Sequence, residues 1–259
     1  MRSDIQPFRM YGNLYFVGSS KVSVHIIKTE VGLVMIDTGY PDMYEQILDS
    51  MQALELDPKD ICAIFHSHGH IDHFGCTLRL KELSGAKTYI SRIDNDIVNG
   101  TRDLSWATEL GLEREKPFDC DVLIDEGDSF TFGTTTVRCR LAPGHTEGTL
   151  AFFVNVEENG STVVAGMHGG LGLNTLQRAW LNANGFTVAM RDAYRNSLHK
   201  LADETVDIVM GNHPGQSNTT HNLKKVLAGE SILNRNAWPA LLQTYEAKLD
   251  KLLADEAAQ

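Results

Sequence analysis

The densest chemistry in the chain lies in the run FHSHGHIDHFG, residues 65–75. Histidines two apart project to the same side of an extended or looped backbone, unlike the i, i+4 pair that a helix would need. His68 and His70 can therefore grip one ion together. Asp72 and His73 come next, just before a helix expected to open at Phe74, where they can turn toward a neighbouring site. Gly69 and Gly75 relieve crowding among the converging side chains. His66 creates a rival H-x-H register, but only the register starting at His68 ends in Asp-His. Imidazole and carboxylate suit Zn²⁺ at ~2.0–2.2 Å, and a site with three protein ligands keeps a position open for water. Zinc lowers the pKa of that water to about 7, giving hydroxide at neutral pH, and two ions ~3.5–4 Å apart can stabilise attacking and leaving atoms together. Asp72 could accept a hydrogen bond from the hydroxide. No serine or cysteine nucleophile is required.

Such a loop needs rigid elements on either side. Between residues 13 and 37 the sequence reads strand, turn, strand: NLYFV, VSVHII, a turn at residues 30–32, then LVMID. Residues 42–54 predict a helix, with Met43, Ile47, Leu48, Met51 and Leu54 on one face and Pro41 suited to its first turn. A strand at 61–65, a helix at 74–83 and a strand at 87–90 continue an α/β alternation. The character changes near Val122, where a second sheet-forming half is expected to begin. It contains a hairpin of 128–132 with 135–141 joined at Gly133, and strands at 150–156 and 162–165 linked by the turn-prone EENG. Helices at about 188–201, through 223–227 and at 238–253, with a strand at 206–210, complete the chain. No short-period repeat and no Pro/Gly/Ser linker divides it, so residues 1–259 read as one domain in which two sheets pack together with helices outside both. Residues 99–118 and 169–185 resist regular assignment and are the expected walls of a substrate cleft. Within them Trp106, Leu171, Leu173, Leu176 and Trp180 suggest an apolar lining, with ordinary loop packing as the plainer alternative.

The histidine run resembles the H-x-H-x-D-H signature of the metallo-β-lactamase superfamily. LVMIDTGYP resembles the family's early strand ending in Asp37. LAPGHTEGT resembles its second histidine motif, carrying His145, and GNHPGQSN resembles the last, carrying His213. The pieces fall in the family's order over essentially the whole chain. The all-His/Asp set, the HPGQSN segment and the long C-terminal helix look most like the third subclass of metallo-β-lactamases. The resemblance implies a four-layer αββα sandwich with metals at the shared edge of the sheets. It also implies two Zn²⁺, one held by His68, His70 and His145 and the other by Asp72, His73 and His213. Asp37 is expected to orient the histidine loop rather than bind metal. His25, His66, His199 and His221 lack motif context and read as ordinary core or surface histidines.

The pattern departs from the family where many members carry a bridging Asp; here the strand VVAGMHGG offers Met167 and His168. His168 is kept as a candidate catalytic residue that could add a ligand, bond substrate or merely end a strand. Typical members of the lactamase subclass are exported, and some join the strand before the last motif to the C-terminal helix by a disulfide. Here Val206 and the region around Asn236 offer no cysteine, and the opening MRSDIQPFRMYGNLYF shows no charged segment followed by an apolar run. Those features put β-lactam hydrolysis second, behind hydrolysis of an ester, lactone, thioester or amide, with a non-catalytic metal-binding protein as a third reading.

Composition narrows the partners. Of 259 residues 42% are hydrophobic, ample for a core, and 23 Lys and Arg against 34 Asp and Glu give a net charge of −11. A nucleic acid or an anionic membrane wants a basic face, so neither is expected and the partner is a small-molecule substrate. No window approaches the ~18 apolar residues of a membrane span. The four cysteines lack C-x-x-C spacing and read as free thiols. A cytoplasmic location is the expectation.

Overall fold

The computed structural model describes residues 5–258. The first sheet has seven strands in chain order: β1 (Phe8–Tyr11), β2 (Leu14–Phe16), β3 (His25–Thr29), β4 (Gly32–Ile36), β5 (Ile61–Phe65), β6 (Lys87–Ser91) and β7 (Val122–Ile124). β1 to β4 pair antiparallel, whereas β4 to β7 run parallel. Between these strands lie α1 (Tyr44–Ala53), α2 (Ile71–Phe74), α3 (Thr77–Ser84) and α4 (Asn95–Val98). The second sheet is built from β8 (Ser129–Phe132), β9 (Thr135–Leu141), β10 (Leu150–Glu158), β11 (Ser161–His168) and β12 (Ile208–Val209), in the order β12-β11-β10-β9-β8. It is antiparallel except for the β11–β12 pair. Helices α5 (Arg178–Ala183), α6 (Ala189–Leu201), α7 (Thr219–Leu227) and α8 (Ala237–Ala257) belong to this half.

Alternation along the strands sorts side chains into layers. Phe16, Ile27, Val34, Ile36 and Phe65 of the first sheet meet Val137, Cys139, Phe152, Val154 and Met167 of the second in one shared core. The opposite face of the first sheet, with Ile26, Met35 and Ile64, buries Ile47 and Met51 of α1 and Leu80 of α3. Ala151 and Phe153 of the second sheet turn outward onto Tyr194 and Leu198 of α6 and Trp238 and Leu242 of α8. Four layers result, in the order helix, sheet, sheet, helix, as the sequence implied.

Several boundaries differ from the sequence reading. The strand at Val122 pairs with β6 and closes the first sheet, so the second half starts at β8. β1 was not expected; its alternation of buried Phe8 and Met10 with exposed Arg9 is only four residues long. The helix expected over 74–83 is two helices broken at Gly75 and Cys76. Gly75 sits against Pro41, where a Cβ would lie 2.5 Å from the ring, and its N–H donates to Gly39 O at 2.9 Å. That close approach stops one helix and starts another, and it places Asp72 and His73 inside α2 rather than ahead of a helix. The EENG turn joins β10 to β11 through Asn159 and Gly160, both left-handed at φ 51° and 77°, the geometry that a two-residue hairpin turn demands.

Phe65, fully buried, ends the strand that leads into the histidine loop. Its ring stacks on Tyr89 at 4.3 Å and meets Phe130, Phe132 and Phe152 edge-on at 5.7, 6.0 and 5.8 Å. Phe65→Ala should cost about 3–5 kcal/mol of unfolding free energy, read as a lower denaturant midpoint at unchanged slope. A loss under about 1 kcal/mol would show that this contact between the sheets is not what holds the layers together.

Candidate metal centre

Every site residue follows the C-terminal end of a strand or opens the element after it, so the two sheets deliver their chemistry to one edge. Asp37 leaves β4 in a left-handed conformation, φ 60°, with its N–H on Phe65 O at 2.8 Å. Its buried carboxylate accepts from Ser67 N–H at 2.7 Å and from Ser67 Oγ and His73 Nδ1, both at 2.8 Å. A carboxylate can only accept, so Nδ1 of His73 holds a proton and its Nε2 is left for another partner. The same logic repeats around the cluster. His145 Nδ1 donates to Gly172 O at 2.8 Å and His213 Nδ1 to Lys21 O at 2.7 Å. Ser67 Oγ, having given its proton to Asp37, can accept from His68 Nδ1 at 3.1 Å.

The structure brings His68, His70 and His145 into one group and Asp72, His73 and His213 into a second; within each, one potential ligand atom per residue lies within 4.8 Å of the others. Nε2 of His68, His70 and His73 is buried with no hydrogen-bond partner. Buried polar atoms are rarely left unpaired, and inward-facing imidazole nitrogens fit a divalent metal of zinc type. Burial pushes His68 and His70 well below the usual imidazole pKa, helped by neighbouring histidines; it lowers His213 too and takes His145 down to about 4. These rings are therefore in the neutral form that ligates. Asp72 is pushed up by burial, but His73 and His213 outweigh that and hold it ionised, well below the ordinary carboxylate range. His73 is the exception among the histidines. Burial pushes it down, yet Asp72 and Asp37 on its two nitrogens lift it to about 10. Asp72 Oδ2 lies 3.4 Å from His73 Nε2 and 3.8 Å from His213 Nε2. The His213 side chain is 38% exposed against 1% for His73, so solvent reaches the cluster from the His213 side.

The irregular segments meet beside the cluster. Trp106, left-handed at φ 64°, has its ring 5.5 Å from His70 and 5.6 Å from Trp180, which stacks on Phe186 at 5.5 Å. Arg102 lies over Phe186 and pairs with Glu147 at 2.6 Å. Leu173 is half-buried. With Leu171 and Leu176 it packs on the outer core of the second sheet, and what this loop gives the cluster is the Gly172 carbonyl. His168 belongs to neither ligand group. It is 1% exposed, near Tyr194 at 6.3 Å between ring centroids, with Gly170 N–H on its Nδ1 at 3.3 Å and its Nε2 unpartnered. Register explains this: on β11 the residues facing the other sheet are Ala165 and Met167, so His168 starts toward the helical side. His66 is a satisfied core histidine, bonded to Tyr89 O and Thr77 Oγ1, and His199 pairs with Glu246 at the surface.

Sequence reasoning missed Asp94, a fully buried carboxylate beside the histidine loop, and the roles of Arg102 and Phe186. Nothing in SRIDNDIVNG separates Asp94 from exposed Asp96, because the difference lies in which loops fold over it.

Residues 17–158, more than half of the chain, match the family model of the metallo-beta-lactamase superfamily. The fold is similar to that of BJP-1, a subclass B3 metallo-beta-lactamase of Bradyrhizobium japonicum, with a TM-score of 0.88 at 23% identity over 99% of this chain and 96% of that one. An uncharacterized protein of Aquifex aeolicus is 27% identical over 74% of this chain and 85% of its own length. A hydroxyacylglutathione hydrolase of Crocosphaera subtropica is 27% identical over 49% of this chain and 44% of its own. Buried histidine pairs at the edge of an αββα sandwich, the motif order along the chain and these matches converge on one conclusion: the chain belongs to the metallo-beta-lactamase superfamily.

Proposed function

We propose that the protein is a two-metal hydrolase that cleaves an ester, lactone, thioester or amide bond in a small molecule. The observation that supports this most is the pairing of the two ligand groups, each with imidazole nitrogens turned inward while the opposite nitrogens are tied to protein acceptors. Zinc held there supplies a Lewis acid and lowers the pKa of water to about 7. The chain's own contribution is placement. Asp72, ionised and facing His213 on the solvent side, can accept a hydrogen bond from the attacking water and orient it. Trp106 and Trp180 offer a flat apolar wall beside His70 that can seat the non-polar part of a substrate and exclude solvent.

Under this reading the partners are small molecules, with no nucleic acid or membrane, and the compartment is the cytoplasm. Among the described residues no helix is long and apolar enough to cross a membrane, and the four cysteines are free thiols. The hydroxyacylglutathione hydrolase relative favours thioesters within the proposed range. A second reading, β-lactam hydrolysis, draws on the likeness to BJP-1. A non-catalytic metal-binding protein is the third.

Elemental analysis of the zinc-replete protein should find about two ions per chain, because two three-ligand groups are present. His68→Ala or Asp72→Ala should lower metal content, and turnover by at least ~10-fold. Trace metal in the wild type, or unchanged turnover in both variants, would defeat the proposal. A panel of a thioester, a lactone, a nitrophenyl ester and a chromogenic cephalosporin separates the readings: turnover of the cephalosporin alone supports the lactamase, and two bound ions with no turnover of any member supports the binding protein. Turnover of the preferred substrate should rise with pH along a limb near ~7. A profile flat from pH ~5 to ~9 would count against metal-activated water.

A further inference from the structure

The two ligand groups draw on loops from different sheets. His68 and His70 sit on the loop after β5 in the first sheet, whereas His145 sits on the loop between β9 and β10 in the second. A three-histidine site therefore needs something that fixes one loop against the other.

Asp94 is placed to do so. It follows β6 at the start of α4 and is fully buried. Oδ2 accepts from Gly69 N–H at 2.9 Å, the residue between His68 and His70, and from Thr146 Oγ1 at 2.6 Å, the residue after His145. Oδ1 accepts from Gly148 N–H at 2.9 Å, on the same loop as His145. Its own N–H is held by Ser91 Oγ at 3.1 Å, which anchors the residue to the end of β6. All three partners of the carboxylate are neutral donors, and together they span both loops. The glycines make the approach feasible: a Cβ on Gly148 would overlap Asp94 Oδ1 and Ser91 Oγ, and one on Gly69 would lie 2.8 Å from Ile97 Cβ on α4. Asp37 cannot substitute, because its partners, Ser67 and His73, both lie on the first sheet's side of the seam.

We infer that Asp94 is the positioning residue of the three-histidine group, setting the spacing between His68/His70 and His145 without touching metal or substrate. The inference rests on the two-metal reading and adds a selectivity to it: losing Asp94 should weaken one metal site and spare the other. In Asp94→Asn the carboxamide keeps the shape, but either orientation turns an NH₂ toward an N–H or O–H donor, so at least one link between the loops is lost. Asp72, His73 and His213 share no hydrogen bond with Asp94.

The test is competition of zinc against a chromophoric chelator, with His68→Ala and His213→Ala showing which of the wild type's two binding steps belongs to which group. Asp94→Asn should weaken the step that His68→Ala abolishes by at least ~10-fold, as loss of an outer partner of a metal site does. The step that His213→Ala abolishes should stay within about twofold, as for sites without shared partners. Thr146→Val removes one donor and leaves Asp94 in place; it should weaken the same step less, and it keeps the test available if Asp94→Asn does not fold. Equal weakening of both steps would make Asp94 a general structural staple, and unchanged affinity at both would leave it no role; either overturns the inference. A wild type without two zinc steps would overturn the two-metal reading itself, which distinguishes the two failures.

Discussion

Five imidazoles brought together, four of them buried and His213 on the solvent side, each needing one nitrogen free, is the constraint that the rest of the molecule answers. An imidazole with no fixed partner can rotate or exchange tautomers, and a cluster of such rings would have no defined shape. Here most of the rings are pinned through Nδ1: to a carboxylate in His73, to backbone carbonyls in His145 and His213, to a serine hydroxyl in His68. Those acceptors come from both sheets and from the loops after β2 and β11, so the site is held by the architecture as a whole. The inter-sheet core carries the load. Phe65 and its aromatic neighbours fix the strand end from which Ser67, His68 and His70 depart.

Charge follows from the same burial. Desolvation lowers His68, His70, His145 and His213, whereas Asp72 and Asp37 on either side of His73 raise it against its burial. A metal held by the second group would need His73 Nε2 deprotonated, whereas desolvation already favours the neutral rings of the first. The two groups are therefore chemically unlike, despite standing side by side.

How much of this could be read in the sequence depended on whether a property was local. The H-x-H-x-D-H run carries its own geometry, so His68, His70, Asp72 and His73 could be singled out from residues alone, and His145 and His213 came from motifs in a familiar order. Strands with clear alternation, such as β9, or with a continuous apolar run, such as β10, were legible; β1 and β7, at four and three residues, were not, and β7 joined the other sheet. The break at Gly75 depended on Pro41, more than thirty residues away. The place of His168 after a strand left its role open in the sequence, because one step of strand register decides which face a side chain takes. Leu173 could be read as wall or as loop packing, because apolar side chains in an irregular loop carry no mark of which side they face. Asp94 was invisible for the converse reason: its meaning lies wholly in donors from Gly69, Thr146 and Gly148.

The contact of Trp106 with Trp180 ties together two segments that lie more than seventy residues apart in sequence and supply none of the six ligand-group residues, only the Gly172 carbonyl that holds His145. Ligand-bearing strand ends and wall-forming loops are thus separate modules, and loops tolerate changes of length that strands do not. The aromatic junction removes part of that freedom. An insertion near Trp106 that shifts its ring also unseats Trp180 and the Phe186 and Arg102 stacked beyond it. Diversification of substrate range within this scaffold is accordingly expected to proceed by compensated changes in both segments, and grafting one segment from a relative without its counterpart would leave an ill-fitting wall around an intact metal centre.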